Sequence, residues 1–300
     1  MVGLGRTGAR VMMRSTLYLT MYCALPYLCA AVSVWIETQS YDGTGNNLAH
    51  PTWGAAGSHY LRLTPPAYAD SSSGPNGASL PGARFISNTV MSRGQADTLY
   101  DMDAGAASEF MPSWGVMLHL DVTLGCRNAS EPFPIPVPTG DRVFDPFATG
   151  TVTIPFTRTC YDSTDSLTGE RFMPNGFTSY IDCSGLYGNS PSANAAIRTF
   201  VGGKLKSRID LVAGELPLFN PAQDRFVFGH TGVNIIPHLT TIYTLFLREH
   251  NRRAAQLALL NPTWTDEKIF QRARRWVIAV VQRVTLYFQP NNIMELASWK

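Results

Sequence analysis

The chain is poor in charge. Only 15% of its 300 residues are Asp, Glu, Lys or Arg, and 24 basic against 22 acidic side chains leave a formal charge of +2. So small an excess does not gather phosphates, which excludes nucleic acid as a partner. Arginines do collect late, at Arg248, Arg252, Arg253, Arg272, Arg274, Arg275 and Arg283. They fall between apolar positions at helical spacing and read as a solvated helix face. Cysteine is scarce too, 5 in all, and no spacing among them suits zinc. No internal repeat or linker divides the chain, and beyond the N-terminus no apolar run is long enough to span a bilayer. With 45% hydrophobic residues the composition is that of a globular domain with ample core.

What is present begins with a targeting pattern. Arg6, Arg10 and Arg14 precede an uncharged stretch from Ser15 to Ile36, and Ala31-Val32-Ser33 offers a small-x-small cleavage site. Residues 1–35 are therefore expected to be a secretory signal peptide or, if uncleaved, a signal anchor. Residues 36–300 would then be secreted or lie on the extracellular face of a membrane. Cys23 and Cys29 fall inside the leader, leaving Cys126, Cys160 and Cys183. Cys126 and Cys160 flank a Pro-rich segment and could pair, whereas Cys183 reads as a free, buried thiol. Asn128-Ala129-Ser130 is a glycosylation sequon.

Between Tyr41 and about Gly105 the chain is rich in Gly, Pro, Ser and Asn and is expected to be loops, with Ser71 to Gly77 exposed. A helix is predicted from Ser108 to Leu124, with Phe110, Trp114, Met117, Leu118 and Asp121 on one stripe. Pro132 to Pro138 should run extended, and a strand pair is expected around Gly150 to Phe156. Two long helices follow. The first runs from Pro237 to Leu260 on a stripe of Leu239, Ile242, Phe246, His250, Ala254 and Leu257, which makes His250 a hydrogen-bonded core histidine. Asn261-Pro262 ends it. Thr265 caps the second, which carries Asp266 and Glu267 in its first turn. Its stripe is Ile269, Phe270, Ala273, Trp276, Val277, Val280 and Val281. The fold class is mainly α, one domain with long ordered loops.

Several segments in order resemble the animal haem peroxidases. They are Tyr41-Asp-Gly-Thr-Gly-Asn-Asn-Leu48, Trp53-Gly-Ala-Ala-Gly57, Leu61 to Asp70, Ile86-Ser-Asn-Thr89, Trp114-Gly115 with Asp121, Asp145-Pro146, Ile154 to Arg158, Thr178 to Gly188 and Leu245-Phe-Leu-Arg-Glu-His-Asn251. Trp35 to Gly43 and Gly140 to Pro146 lean toward the dual-oxidase branch. The resemblance covers about residues 37 to 290 and implies a domain truncated at its C-terminus. It also implies haem b and calcium as cofactors, with hydrogen peroxide or an oxidase module as partner. Membrane attachment would come only through an uncleaved signal anchor or a missing C-terminal part.

The family's distal helix reads Trp-Gly-Gln-x-x-Asp-His-Asp, and here those places hold Trp114, Gly115, Val116, Met117, Leu118, His119, Leu120 and Asp121. Leu120 thus stands at the distal histidine position, Val116 at the glutamine, and His119 at an aspartate that can ester-link haem. The family's Gly-Asp-x-Arg-x-Asn-Glu-x-Pro becomes Gly229-His230-Thr231-Gly232-Val233-Asn234-Ile235-Ile236-Pro237, so Gly232 replaces the catalytic arginine and Ile235 the haem-linking glutamate. The calcium set is preserved by resemblance: Asp121, Thr178 through both side chain and carbonyl, the carbonyl of Tyr180, Asp182 and Ser184. The family's proximal histidine lies beyond Lys300. The leading expectation is an extracellular peroxidase-homology domain that has lost its distal catalytic groups. The alternatives are an active haem peroxidase using His119, or a secreted adhesive domain.

Overall fold

The last third of the chain supplies the scaffold on which the rest is arranged. In a computed structural model, residues 38–77, 80–91 and 110–287 are described, and Tyr41 opens the compact unit. The leader expected over 1–35 lies outside the described residues. In chain order the helices are α1 (Ala83–Met91), α2 (Phe110–Val122), α3 (Ser184–Tyr187), α4 (Pro191–Ile197), α5 (Pro237–Leu260) and α6 (Asp266–Tyr287), with a 3₁₀ turn at Thr231–Asn234. The helices α5 and α6 form an antiparallel hairpin. Pro237 starts α5, where its missing N–H costs nothing, and Asn261 closes it by returning its N–H to the Leu257 carbonyl. Thr265 Oγ1 accepts the Lys268 N–H, and Asp266 and Glu267 face the positive end of the α6 dipole.

One apolar core joins these helices to α2 and α3: Trp114, Met117 and Leu120 pack with Leu186, Tyr187, Val233, Leu239, Ile242, Tyr243, Leu247, Phe270, Val277 and Val281. A satellite of Ala254, Leu257, Ile269 and Ala273 closes the far end of the hairpin. The buried faces differ from the expected stripes. On α2 Leu120 is inside, while Phe110 is 49% exposed. On α5 the face widens to include Tyr243 and Leu247, and Phe246 is half-buried. On α6 Trp276 sits at the rim, its indole N–H donating to Glu249 and its ring under the Arg253 guanidinium. Arg274, expected on a solvated face, is instead buried and stacks over Tyr41 and Tyr187.

Strands are short two-stranded pairs. The expected pair around 150–156 does not fold on itself: Thr153–Ile154 pairs with Ile135–Pro136, and Thr157–Thr159 pairs with Arg127–Pro132. Prolines remove donors within both segments, so each finds its ladder on the other. The Cys126 and Cys160 sulfurs are bonded at the base of this arm, with Cα atoms 5.4 Å apart, and Cys183 is a free buried thiol. Within the expected loop region lies α1, which presents Phe85, Ile86 and Val90 to solvent and is tied down by Arg84 and Asn88 donating to Asp141. No helix among the described residues is long and apolar enough to cross a membrane.

Candidate functional site

The site is assembled where α2, the loop 178–184 and the 3₁₀ turn meet under α5. Helix α2 carries His119, Leu120 and Asp121 in sequence, and a step of roughly 100° per residue sends them in different directions. His119 is exposed, whereas Leu120 and Asp121 turn inward. Leu120 points at the 3₁₀ turn: a Cβ added at Gly232 would stand 3.5 Å from Leu120 Cδ2. The two positions that the resemblance singles out therefore face each other across van der Waals distance. Val116, one turn earlier, is 37% exposed, and Ile235, at the end of the 3₁₀ turn, is 68% exposed.

His230 fills the space beside Gly232. Its Nδ1 accepts the Gly232 N–H at 3.0 Å and caps the turn, and its ring meets Phe177 edge-on at 4.7 Å. That bond assigns the proton to Nε2 in the neutral ring, and burial holds the imidazole below the ordinary histidine range. The Gly232 Cβ position lies 2.9 Å from His230 Nδ1, so an arginine at 232 would have to displace this ring. Gly229 is needed for packing, since a Cβ there would meet the Gly188 nitrogen at 2.0 Å.

Asp121 is fully buried and reaches the next element. Its carboxylate accepts the N–H groups of Asp182 and Cys183 at 3.0 Å each and of Ser184 at 2.5 Å. Cys183 takes a left-handed φ of 60° so that these three amides can converge. Asp182 accepts the hydroxyls of Thr178 at 2.7 Å and Ser184 at 2.6 Å, and the Thr178 hydroxyl lies 3.4 Å from the Tyr180 carbonyl. Asp121 and four residues of one loop, more than fifty positions away, thus bring two carboxylates, two hydroxyls and a carbonyl into one buried cluster. Burial, then the charge of Asp182, pushes the Asp121 carboxyl up to about 7. Burial also raises Asp182, against the Ser184 and Thr178 hydroxyls and the positive charge of Arg274. Two buried anions with one nearby guanidinium make a place that favours a cation. No cluster of three or more His, Cys, Asp or Glu side chains is found among the described residues, so any ion here would rest on two carboxylates and neutral oxygens.

His250 lies apart from this cluster. It is fully buried, its Nε2 bonded to the Gly203 carbonyl at 2.9 Å and its Nδ1 to the Tyr187 hydroxyl at 2.8 Å. Both nitrogens are used within the core, which leaves no lone pair for a metal. Sequence reasoning missed three site neighbours: His230, Tyr243 and Arg274. Tyr243 is four residues from both Leu239 and Leu247, and Arg274 four from both Phe270 and Ile278, so helical spacing alone would have turned both inward.

A buried acidic loop joined to a core helix, with the hairpin α5–α6 behind, is the framework of a peroxidase-type domain. The sequence profile described as animal haem peroxidase matches residues 38–293, and the chain belongs to that family. It is 36% identical over 275 residues to dual oxidase 1 of Sus scrofa, covering 85% of this chain and 17% of that protein. To dual oxidase 1 of Homo sapiens it is 35% identical over 272 residues, with 84% of this chain and 17% of the relative covered. The chain thus spans about a sixth of the length of these relatives. Among solved structures it is similar to peroxidase A from Dictyostelium discoideum, with a TM-score of 0.69 and 29% identity over 83% of this chain and 52% of that one. The fold is also that of a fatty acid alpha-dioxygenase from Arabidopsis thaliana, with a TM-score of 0.64 and 19% identity over 83% and 36% of the two chains.

Proposed function

We propose that this chain is the peroxidase-homology part of a dual-oxidase-like, hydrogen-peroxide-generating system, facing the outside of the cell, held together by calcium and without peroxidase chemistry of its own. The observation that carries the proposal is the pairing of Leu120 with Gly232. Peroxide cleavage needs a base to move a proton and a cation to stabilise the departing oxygen, and such groups typically contribute about 10²–10⁴-fold each. Leucine has no lone pair and glycine no charge. His119 offers no substitute, because it is exposed while its neighbour faces Gly232. Haem, when bound, would supply the redox iron. The positions from which the family links it hold an exposed His119 and an Ile235 without a carboxyl, and neither fits covalent attachment.

Calcium fits better. It takes about six to eight oxygens, and Asp121, Thr178, Tyr180, Asp182 and Ser184 would supply roughly six. In this reading the ion replaces a proton as the counter-charge of two buried carboxylates and fixes α2 to the loop 178–184. An oxidising compartment is consistent with the Cys126–Cys160 bond and with the sequon, in which the Ser130 hydroxyl donates to Asn128 Oδ1 at 2.7 Å.

The test is to supply the full chain with haem and calcium and follow oxidation of a phenolic donor by hydrogen peroxide. The expected rate is that of free haem. Turnover well above it, abolished by His119→Ala, would establish the active-peroxidase alternative instead.

A further inference from the structure

Tyr243 carries a polar group that nothing described so far uses. The side chain is fully buried on the inward face of α5, with its ring centroid 6.1 Å from that of Phe228. Its hydroxyl has no hydrogen-bond partner among the described residues. It is aimed at the acidic loop: a Cβ on Gly185 would come 2.3 Å from the hydroxyl oxygen, so only glycine fits beneath it. Burial above all, with the electrostatic action of Asp121, Cys183 and Asp182, holds the phenol in its neutral form. Phenylalanine would fill the same space without a buried orphan donor, and buried hydroxyls are nearly always satisfied. The hydroxyl therefore calls for a hydrogen-bond partner that the surrounding protein atoms do not provide, on the side where two carboxylates lie.

Calcium coordination supplies one. The protein oxygens at this cluster number roughly six, at the low end of what the ion takes, which leaves room for a bound water. Partners of this outer kind orient the ligands of metal sites and influence affinity strongly.

We propose that Tyr243 is a positioning residue of the calcium site, its hydroxyl oxygen accepting a hydrogen bond from a cation-bound water that completes the oxygen cage between α5 and the loop 178–184. This inference rests on the calcium reading given above. Gly185 is then the clearance that lets the phenol approach, and the ion ties the loop to α5 as well as to α2.

Terbium, which binds calcium sites and luminesces, gives a direct readout. Its emission lifetime in light and heavy water counts the waters on the ion, and calcium competition gives the affinity. Tyr243→Phe in the full chain should bind with one fewer water and about tenfold or more weaker affinity. In chelator the variant should melt no lower than the parent, because it loses only an unpaired donor. Unchanged water count and affinity in a folded Tyr243→Phe would overturn the inference while leaving the calcium site standing. A lower melting temperature in chelator would also overturn it, by giving the hydroxyl a purely structural partner. Failure of the parent chain to bind terbium or calcium at all would remove the calcium reading itself, and this inference with it.

Discussion

Acidification should weaken this fold through His250, and the amount follows from its surroundings. The ring is fully buried between the Tyr187 hydroxyl and the Gly203 carbonyl. Burial above all, and the positive charges of Arg198 and Arg274, lower its pKa to about 4 against the raising effect of the Gly203 bond. In the unfolded chain it returns to 6.5. Between those values the native state binds fewer protons than the unfolded one, so stability rises with pH. The contribution is fully present above about pH 6.5 and is lost as pH falls toward about 4. That gap, at about 1.4 kcal/mol per unit, amounts to something on the order of 3 kcal/mol. Asp121 works in the opposite sense. Its carboxyl is raised to about 7, above its unfolded value of 3.8, so what it contributes is present on the acid side and lost as pH rises. Saturating calcium would suppress that term, and comparison with His250→Gln, which keeps a donor and an acceptor but cannot titrate, isolates the histidine. Urea unfolding followed by tryptophan fluorescence from about pH 7.5 to about pH 4.5 should show the advantage of the parent over the variant shrinking by about 2.5 kcal/mol. Parallel curves for the two proteins would refute the reasoning.

Reducing the Cys126–Cys160 bond, or replacing both residues by serine, should cost about 3–4 kcal/mol, since the bridge closes a loop of sequence separation 34. An unchanged unfolding midpoint would show the arm to be stable without it. Material secreted by animal cells should carry glycan on Asn128, seen as a glycosidase mobility shift that Asn128→Gln abolishes. Chelation should lower the melting temperature of the full chain, and Asp182→Ala should remove that sensitivity. Equal melting with and without calcium in the parent would reduce the cluster to a cap on α3.

Much of the framework was legible because it depends on local rules. Proline at the start of α5, Asn261 at its end and Thr265 before α6 are punctuation that sequence reveals directly. Pairing partners were not legible: the strands near 153–159 share their hydrogen bonds with 127–136, a choice made by tertiary contacts and by proline's missing donors. Nor was the outward turn of Trp276, whose indole finds Glu249 and Arg253 at the rim while Arg274 takes a buried place near Asp182. Helix α1 escaped notice because its apolar residues meet no core. At the site, the losses at 120 and 232 could be read from aligned motifs. That His230 occupies the space beside Gly232, and that Tyr243 aims at the acidic loop, required three dimensions.

Rebuilding the distal groups tests the central claim most directly. Because the His230 ring stands 2.9 Å from where a side chain at 232 would begin, Gly232→Arg alone should fit poorly. The informative variant combines Leu120→His, Gly232→Arg and His230→Asp in a chain that also carries the family's proximal histidine. With haem, calcium and hydrogen peroxide supplied, its rate of phenol oxidation is compared with that of the same chain without the three changes. The account predicts a gain of about 10²-fold or more over a parent that does no better than free haem. A parent that already turns over peroxide as fast as the variant would contradict it.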